Sequence, residues 1–417
     1  MKEGETKMIR NIFAKDLDDN TLANIEQLNT LSWCRNNDYA VMPDVHAGRD
    51  CLVGLTMKLQ GVVDPRWIGA DIGCGVMVTP FLPNIDELIA VDAFLDKNRK
   101  QLATQWDTPL PQAKAFMDCL RECAYAFGND TINMLIDKTA DELTHQLGTL
   151  GGGNHFIEVG KVDGTDDCFI TVHTGSRHFG QNILSLMLKR AETHLDIIHR
   201  TSVDQTIKYC KENGKETLIE EKLKALREAR GQAEEDKYVI AGEELKLYLQ
   251  LQSLAVDYAK ANRAIVVGLI EESVGVHRSV GDVLVGLDLP HNYIDIIGDD
   301  LVLHKGTIKA NAGDSIAIPL NMRDGILMAT AKGNPDALRS CPHGAGRVMS
   351  RKKAKNEFTL DDFKEQMSDI KTSSVCQETL DEHPDAYKSM GYITDAGMGV
   401  LYDVVGVIKP IYNFKGF

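Results

Sequence analysis

The chain has no segment that resembles a membrane span or a secretory signal. No stretch of its 417 residues reaches the roughly 18 consecutive apolar residues that a membrane-spanning helix requires. Residues 1–16, MKEGETKMIRNIFAKD, lack the apolar core of a signal peptide. We also find no internal repeat, low-complexity tract or linker rich in proline and serine. These absences predict a cytoplasmic protein with no membrane partner.

The sequence also lacks a surplus of positive charge and a cysteine framework. Its 61 acidic residues outnumber its 46 basic residues, which gives a formal net charge of −15. This balance argues against a surface coated in positive charge for nonspecific DNA binding, although it does not exclude a local basic groove. The nine cysteines are scattered without regular spacing, which in a cytoplasmic chain predicts reduced and mostly buried thiols.

The chain does contain enough apolar residues to bury a core. Hydrophobic residues make up 43% of it and charged residues 26%, a mixture that excludes a disordered protein. Strand-like segments punctuated by glycine are interspersed irregularly with helical segments, and no composition shift marks a domain boundary. This order predicts an α+β fold rather than a regular βαβ array.

Several stretches have the spacing of apolar residues that is typical of helices. In residues 109–127 this spacing predicts that Cys119 and Cys123 pack in the core. Residues 204–236 are highly charged and have one thin apolar stripe, which predicts a solvated helical hairpin or lid. Two further helices are predicted at 181–200 and 243–265.

Asp71 and Cys74 lie in the segment GADIGCG, residues 69–75. The flanking glycines let the backbone turn tightly and leave little bulk around both side chains. A thiolate beside a carboxylate is unfavourable unless a cation lies between them, so the pair is a candidate metal site. A buried structural cysteine is the alternative that this motif alone leaves open.

Two other motifs place histidines where they could bind metal or phosphate. Three glycines precede Asn154 and His155, and their exposed amides suit a phosphate, although the spacing fits neither a P-loop nor a dinucleotide fingerprint. His173 follows the apolar run FITV and is therefore predicted at the end of a strand. A simple turn and a merely hydrogen-bonded histidine remain the respective alternatives.

His343 is followed by small residues and then by the densest basic run of the chain. Gly344, Ala345 and Gly346 leave space for a bulky adduct, and a helix predicted to begin near Gly344 would favour phosphate at its N-terminus. The basic residues lie within nine positions and are interrupted by no acid; a solvated helix face is the alternative reading. They are Arg347, Arg351, Lys352, Lys353 and Lys355.

Together these motifs fit a metal-dependent phosphoryl- or nucleotidyl-transfer site. The sequence contains no G-x-S-x-G elbow, which argues against a serine hydrolase. The same motifs resemble the RtcB family of RNA-repair and tRNA-splicing ligases, in family order and across most of the chain. The matching segments are MPDVHAG at 42–48, GADIGCG at 69–75, GTLGGGNHFIE at 148–158, HTGSR at 173–177, ANR at 261–263, HN at 291–292 and HGAGRVMSRKKA at 343–354.

The resemblance implies a single domain over residues 1–417, with a β-rich core around the active site, peripheral helices and a charged helical insert at about 204–236. It implies an RNA ligase that joins 2′,3′-cyclic-phosphate or 3′-phosphate ends to 5′-hydroxyl ends. The implied cofactors are GTP and two Mn²⁺ ions, with Zn²⁺ expected to compete. The implied partners are tRNA or rRNA with such ends and an activator similar to archease.

The resemblance also implies roles for individual residues. Asp71, Cys74, His155, His173 and His291 would hold the metal ions, with Cys74 bridging them. His343 would be the nucleophile that carries GMP, and Lys409 would stabilise the phosphate charge. Arg347, Arg351, Lys352 and Lys353 would bind RNA. The guanylate pocket would include Asn154, His155, Phe156, Ile157, Glu158, His291, Asn292, Pro319, Leu320, Asn321, Met322, His343, Gly344, Ala345, Gly346 and Lys409.

The chain departs from the family pattern close to the nucleotide. Leu303-His304-Lys305-Gly306 replaces His-Arg-Lys-Gly, Pro319–Met322 replaces Pro-Gly-Ser-Met, and Pro342 replaces the serine before His343. These departures suggest a divergent branch and make His304 the competing candidate for the nucleophile. Two alternative functions stay open: a two-metal phosphatase or end-processing enzyme that does not ligate, and a non-catalytic metal-bound protein that binds RNA.

Overall fold

Two β-sheets and a set of long helices make up the computed structural model. It describes residues 8, 10–81, 85–232, 236–277 and 286–416. Within these ranges the strands are β1 (Arg10–Ile12), β2 (Tyr39–His46), β3 (Val53–Leu59), β4 (Val62–Val63), β5 (Gly75–Pro80), β6 (Phe156–Val162), β7 (Cys168–Thr174), β8 (Ile240–Ala241), β9 (Leu287–Pro290), β10 (Asn292–Ile297), β11 (Asp300–Lys305), β12 (Thr307–Lys309), β13 (Ser315–Asn321), β14 (Gly325–Ala331), β15 (Ser340–Pro342), β16 (Lys371–Thr372) and β17 (Tyr402–Lys415).

The strands form two main sheets. The first has five strands in the order β1-β2-β3-β11-β10, and only its β1–β2 pair is parallel. The second and larger sheet has the order β13-β14-β17-β6-β7-β5-β9, and β16 pairs with β17 beside this path. Two small ribbons, β12–β15 and β4–β8, complete the described sheet structure.

The helices pack around the sheets. None of the helices in the described ranges is long and apolar enough to cross a membrane. They are α1 (Asp19–Thr30), α2 (Ile85–Lys97), α3 (Arg99–Ala103), α4 (Pro111–Ala126), α5 (Asp130–Gln146), α6 (His178–Glu212), α7 (Ile219–Gln232), α8 (Gly242–Ser273), α9 (Arg351–Glu357), α10 (Leu360–Gln366) and α11 (Met390–Gly397). Short 3₁₀ turns occur at Pro65–Trp67, Glu216–Leu218, Pro335–Ala337, Leu380–Glu382 and Pro384–Ala386.

The predicted α+β class is confirmed, and so are the main helices. The stretch predicted at 109–127 forms α4, and α8 extends the helix predicted at 243–265. The charged segment is helical, because α6 continues to Glu212 and α7 follows it; residues 233–235 lie outside the described residues. The boundaries of a single domain over 1–417 stay a prediction.

The structure corrects the prediction that Cys119 and Cys123 lie in the core, since both are exposed. The buried positions of α4 include Met117, Leu120 and Ala124, which recur at helical spacing. Cys119 and Cys123 each lie one position before a buried residue, about 100° around the helix from it, and both are exposed. The sequence pattern predicted the helix correctly but placed the cysteines on its buried face.

A second correction concerns the helix predicted to begin near Gly344. Helix α9 begins at Arg351, where the Ser350 side chain accepts a hydrogen bond from the amide of Lys353. The segment after His343 is an irregular loop that passes so close to β2 that the carbonyl oxygen of Asp44 would lie 1.9 Å from a Cβ at Gly346. Gly346 also has φ +72°, a conformation that favours glycine and interrupts a helix. The helix predicted to begin beside His343 therefore begins at Arg351 instead.

Helix α8 carries two buried polar residues that hold the loops of the larger sheet. Asn262 is fully buried, and its side-chain oxygen accepts hydrogen bonds from the amides of Gly148 and Thr149, at 2.7 and 3.1 Å. Its amide nitrogen donates to the carbonyl oxygens of Thr149 and Gly175. Asn262 therefore joins the glycine-rich loop before β6 to the turn after β7.

Arg263, on the same helix, joins three further segments of the chain. Its guanidinium forms a two-pronged ion pair with Asp288, with N–O distances of 2.6 and 2.9 Å. Its Nη1 donates to the carbonyl oxygens of Gly73 and Thr174, each at 2.9 Å. Because Gly73 and Thr174 adjoin Cys74 and His173, this one side chain fixes the spacing between the candidate metal ligands.

Replacing Arg263 with methionine should lower the free energy of unfolding by about 3–5 kcal/mol, the usual loss when one partner of a buried ion pair is removed. Asp288 would remain buried without its cation, and the carbonyl oxygens of Gly73 and Thr174 would lose their donor. Urea unfolding at neutral pH measures the change.

The matched control is Arg121→Met on α4. Arg121 is partly exposed and forms long ion pairs with Asp118 and Asp137, at 3.7 and 3.6 Å. Exposed pairs of this kind contribute about 1 kcal/mol or less. Equal losses for the two variants would contradict the assignment of Arg263 as the residue that holds the site together.

Candidate active site

One cavity of about 730 Å³ is lined by residues of both main sheets. Strands β2 and β3 contribute residues from the five-stranded sheet, and β5, β6, β7 and β13 contribute residues from the larger sheet. Nearly all of the predicted site residues line it: Asp71, Cys74, Asn154, Phe156, Glu158, His173, His291, Asn292, Pro319, Leu320, Asn321, Met322, His343, Gly344, Ala345, Gly346, Arg347, Arg351 and Lys353.

Strand pairing brings the predicted metal ligands together. Cys74 directly precedes β5, His155 directly precedes β6 and His173 lies in β7, and these three strands are neighbours. His291 lies between β9 and β10, and its amide donates to the carbonyl oxygen of Cys74 at 2.8 Å. Residues that are up to about 220 positions apart in the sequence therefore meet at one end of the sheet.

The side-chain atoms of these residues form two overlapping groups around Cys74. In one group, His155 Nε2 lies 3.5 Å from Cys74 Sγ and 3.0 Å from Asp71 Oδ2. In the other, His173 Nε2 lies 3.2 Å from Cys74 Sγ and 3.3 Å from His291 Nε2. The thiol belongs to both groups, so it is the atom that could bridge two ions.

The histidines are oriented so that one ring nitrogen can bind a metal ion. His155 Nδ1 lies 2.9 Å from the carbonyl oxygen of Leu150, and His173 Nδ1 lies 3.2 Å from that of Asn154. A carbonyl oxygen can only accept, so each Nδ1 carries the proton and leaves a lone pair on Nε2. Burial lowers the pKa of His173 and of His291 well below the usual value, which keeps both rings neutral.

The acidic members of the cluster fit a bound cation. Burial, together with the Asp71 carboxylate, raises the pKa of the Cys74 thiol well above its usual value. Burial alone would also raise the pKa of Asp71, but His155 and its other neighbours lower it, so the carboxylate is ionised. A metal ion would convert the thiol to a thiolate ligand and offset the charge of Asp71. Three imidazoles, a thiol and a carboxylate thus form a donor set that fits transition-metal ions.

His343 lies beside this cluster in a fixed orientation. Its Nδ1 is 2.7 Å from Oδ2 of the fully buried Asp44, and its amide donates to the same oxygen at 3.2 Å. Because the His343 amide also donates to this oxygen, Oδ2 is an acceptor, and in the neutral ring the proton lies on Nδ1 and the lone pair on Nε2. The His343 ring centroid is 4.6 Å from that of His291. Asp44 lies within the MPDVHAG motif, but no local pattern indicates that it contacts His343.

The structure removes His304 as the competing nucleophile. Its ring is buried, stacks on Tyr293 with a centroid distance of 5.0 Å, and lies 3.1 Å from the hydroxyl of Thr307 through Nδ1. Burial lowers the pKa of His304 to about 4. His304 does not line the cavity, whereas His343 does.

A wall of the larger sheet is suited to a nucleotide base. Glu158 lines the cavity, and its Oε2 accepts a hydrogen bond of 3.2 Å from the Asn413 side chain. Oε1 of Glu158 has no hydrogen-bond partner among the described residues. Burial raises the pKa of Glu158 to about 8, although Asn413 and Lys415 oppose the shift. The aromatic ring of Phe156 and the segment 319–322 line the cavity as well.

Not every residue of the predicted nucleotide pocket reaches the cavity. Ile157 points away from it and is packed in the apolar core behind β6. Asn292 lines the cavity, but its side chain already donates to the carbonyl oxygen of Asp71 and accepts from the amide of Gly306. It therefore also fixes the metal-binding loop.

Lys409 was predicted as a catalytic residue, but the structure places it outside the cavity. Its side chain is exposed, and its backbone in β17 pairs with that of Lys161 in β6. Lys415 lies six residues further on, about 20 Å in an extended strand, and lines the cavity instead. Lys409, which the family resemblance implies, therefore does not reach the cavity, whereas Lys415 does.

Buried Glu382 organises the basic residues beside the cavity. Burial alone would raise its pKa, but Lys415, Arg351 and other neighbours lower it to about 2, so it is ionised. Lys415 Nζ lies 2.6 Å from Glu382 Oε2, and Arg351 contacts Oε1. Arg347 lies 3.4 Å from Oε1 and also donates to the hydroxyl of Tyr387 and to the backbone. Arg347 is thus committed to structural contacts.

The predicted RNA-binding residues differ in their exposure and in the ion pairs that they already form within the protein. Arg351 is 42% exposed, and its acidic neighbours Glu382 and Asp381 each keep another cation, Lys415 and Lys355 respectively. Lys352 and Lys353 are exposed on α9; Lys353 has only a long contact of 3.7 Å with Glu357. Lys352 lies outside the cavity proper, in a shallow groove that continues from it along α9.

The fold and the site define a class of protein. A metal-binding cluster beside a histidine with a free Nε2, within a cavity that has basic residues at its edge, is the arrangement of a metal-dependent phosphoryl- or nucleotidyl-transfer enzyme. A family model described as tRNA-splicing ligase RtcB matches residues 24–118 and 127–416. The chain therefore belongs to the RtcB family of RNA ligases, which confirms the resemblance and the enzyme class predicted from the sequence.

Individual relatives agree with the family match. The RNA-splicing ligase RtcB of Escherichia coli strain K12 is 29% identical over 398 residues, which cover 90% of this chain and 90% of the relative. The tRNA-splicing ligase RtcB of Methanococcus maripaludis is 24% identical over 450 aligned positions, which cover 90% of this chain and 87% of the relative. The non-ligating alternatives raised from the sequence are not favoured.

The metal cluster leads to a first prediction for the site. Cys74→Ala should abolish activity and lose at least one metal ion, because a thiolate shared by two ions would offset charge for both. Elemental analysis after loading with Mn²⁺ and desalting measures the metal content without requiring activity.

Cys119→Ala is the matched control. Cys119 is exposed on α4 and lies outside the cavity, so this variant should keep the wild-type metal content. Equal metal content in wild type and Cys74→Ala would rule out the thiol as a ligand.

Proposed function

We propose that this protein joins RNA ends that carry a 2′,3′-cyclic phosphate or 3′-phosphate to 5′-hydroxyl ends, through a covalent adduct of GMP on His343. The main support for this proposal is the contact of 2.7 Å between His343 Nδ1 and Asp44 Oδ2. It fixes the proton on Nδ1 and presents Nε2 to the cavity, beside the metal cluster. A neutral, oriented imidazole is a competent nucleophile for a nucleotide phosphate.

The first step would form a P–N bond between His343 Nε2 and the α-phosphorus of GTP, with pyrophosphate as the leaving group. Asp44 would stabilise the positive charge that develops on the ring. Metal bound at the neighbouring cluster would neutralise phosphate charge during the transfer. Lys415, rather than Lys409, is the lysine positioned to contact the nucleotide.

Glu158 supports guanine as the base. Guanine presents two neighbouring N–H donors on its Watson–Crick edge, whereas adenine presents one donor and one acceptor there. A carboxylate that lacks a partner for Oε1 would match the first pattern, and these two donors would favour the ionised form of Glu158, whose pKa burial otherwise raises to about 8. The altered segment 319–322 lies in the same cavity, so it would change contacts to the nucleotide without removing this one.

The metal ions are proposed to be two Mn²⁺. Thiolate and imidazole ligands alone favour Zn²⁺ in a closed site. Here the carboxylate of Asp71 is 38% exposed, and the cluster faces a cavity that can admit solvent and phosphate oxygens. These oxygen ligands move the preference toward Mn²⁺, and Zn²⁺ should bind competitively.

The proposed substrate is broken tRNA or rRNA, and an activator similar to archease is a proposed partner. The exposed side chains of Lys352 and Lys353 and the releasable Arg351 would contact the RNA backbone at the edge of the cavity. A thiol ligand requires a reducing environment, so we propose a cytoplasmic location.

The covalent adduct is directly testable. Incubation with GTP and Mn²⁺ should add the mass of GMP to the wild-type protein, and the bond should be labile to acid and stable to alkali, as expected for a phosphoramidate. His343→Ala should show no adduct. Intact-mass spectrometry measures both.

His304→Ala is the matched control and should form the adduct, because His304 lies outside the cavity. Asp44→Asn should slow adduct formation by a factor on the order of 10³–10⁴, as when the carboxylate beside a catalytic histidine is neutralised. An adduct that persists in His343→Ala, or no adduct in the wild type, would contradict the proposal.

RNA binding should depend on the start of α9. Changing Arg351, Lys352 and Lys353 to alanine should weaken RNA affinity and reduce the slope of log K against log salt by about 2, since each phosphate contact on single-stranded RNA contributes about 0.7. The GMP adduct should still form. Lys222→Ala with Lys224→Ala, on exposed positions of α7, should leave affinity and slope unchanged. Unchanged affinity in the triple variant would mean that α9 is only a solvated helix.

A further inference from the structure

The end of β2 forms a part of the cavity that has no role in the steps described so far. His46, Ala47 and Gly48 line this part, together with Asp18 and Asn20 at the start of α1. The metal cluster and the nucleotide wall belong to the larger sheet, whereas these residues belong to or adjoin the five-stranded sheet. The two substrate ends of a joining reaction must both approach the same phosphate, so a second wall with polar groups is relevant to the second end.

His46 is held on this wall by its own strand. Its Nδ1 lies 3.0 Å from the carbonyl oxygen of Asp44, so Nδ1 carries the proton and Nε2 has the lone pair. No residue of the described chain hydrogen-bonds to Nε2. Lys388 donates to the carbonyl oxygens of Pro43 and Val45, at 2.8 and 2.6 Å, and so fixes the backbone on both sides of Asp44.

The surroundings of His46 keep its ring neutral. Burial lowers its pKa to about 4, against the opposing effects of the Asp44 carbonyl and carboxylate. His343 and Lys388 are the neighbouring groups that lower it further. Asp18 is the other acidic group on this wall. At neutral pH the ring is therefore unprotonated at Nε2, and the lone pair of this atom is available to accept a proton.

The other histidines that line the cavity, within the described ranges, are already committed. His173 and His291 direct Nε2 toward the metal cluster, and Nε2 of His343 would carry the guanylate. Asp44 accepts the hydrogen bond from His343 Nδ1 and is fully buried. His46 is thus the basic side chain of the cavity that retains a free acceptor.

We propose that His46 accepts the proton of the RNA 5′-hydroxyl in the joining step; this rests on the proposed function. In the second step GMP would pass from His343 to the RNA 3′-phosphate, with cleavage of the P–N bond. In the joining step the 5′-oxygen then forms a bond to the 3′-phosphorus of this guanylate-activated RNA. The bond between this phosphorus and the oxygen of GMP breaks, GMP leaves with the electron pair, and the hydroxyl proton passes to His46 Nε2. No oxidant or further reactant is required.

The test separates the joining step from the two steps before it. His46→Asn retains an amide donor for the Asp44 carbonyl but has no basic nitrogen. In single-turnover reactions with GTP, Mn²⁺ and RNA ends, this variant should form the protein–GMP adduct and the activated RNA at wild-type rates. Joining should then fall by about 10²–10³-fold, within the range for loss of a general base, and activated RNA should accumulate. His304→Asn is the matched control and should join normally.

A second variant separates chemistry from structure. His46→Ala should show the same block, and added imidazole should restore part of the joining rate, which a purely structural defect would not allow. Wild-type joining by His46→Asn, or no recovery of His46→Ala with imidazole, would overturn the assignment of His46 alone. If the wild type forms neither adduct nor joined RNA, the proposed function fails, and the role of His46 fails with it.

Discussion

The fully buried polar pair on α8 is the constraint on which the rest of the site depends. Asn262 and Arg263 have no access to solvent, so each of their polar atoms must find a partner inside the protein. The partners are backbone groups of the loops around Gly73, Thr149 and Thr174, and the carboxylate of Asp288. Because side chains of a helix form hydrogen bonds with the backbone of these loops, the loops need no regular strand-to-strand hydrogen bonds. They can therefore turn toward one point, where Asp71, Cys74, His155 and His173 meet.

The charged side chains of the site are held in position before a substrate binds. The chain carries a formal net charge of −15, yet the proposed substrates are a triphosphate and an RNA backbone. Glu382 holds the positive groups of Arg351 and Lys415 in place, and Asp44 holds the proton of His343. Buried cations without such partners would be unfavourable, and an unrestrained histidine would not keep one tautomer. Acidic residues therefore position the groups that later meet an anionic substrate.

Local patterns in the sequence indicated Asp71, Cys74 and His173 as candidate metal ligands but not the long-range contacts. Glycines around Asp71 and Cys74 and the apolar run before His173 are local signals, and strand pairing brings these residues to one place. The partnership of Asp44 with His343 spans 299 positions and leaves no local trace. Lys409 is implied by the family resemblance, and only the tertiary fold shows that Lys415 of the same strand lines the cavity instead. The residues after His343 resemble a helix start in sequence, but the close approach of Gly346 to the backbone of Asp44 and its positive φ are features that no local pattern shows.

In the proposed site, one thiol and its neighbouring imidazoles hold two metal ions beside a histidine that accepts a nucleotide. The most direct test is anomalous X-ray diffraction from crystals of the protein loaded with Mn²⁺. We expect two anomalous peaks that share Cys74 Sγ as a ligand, one on the side of Asp71 and His155 and the other on the side of His173 and His291. A single peak that excludes Cys74, or no peak within the cluster, would contradict it.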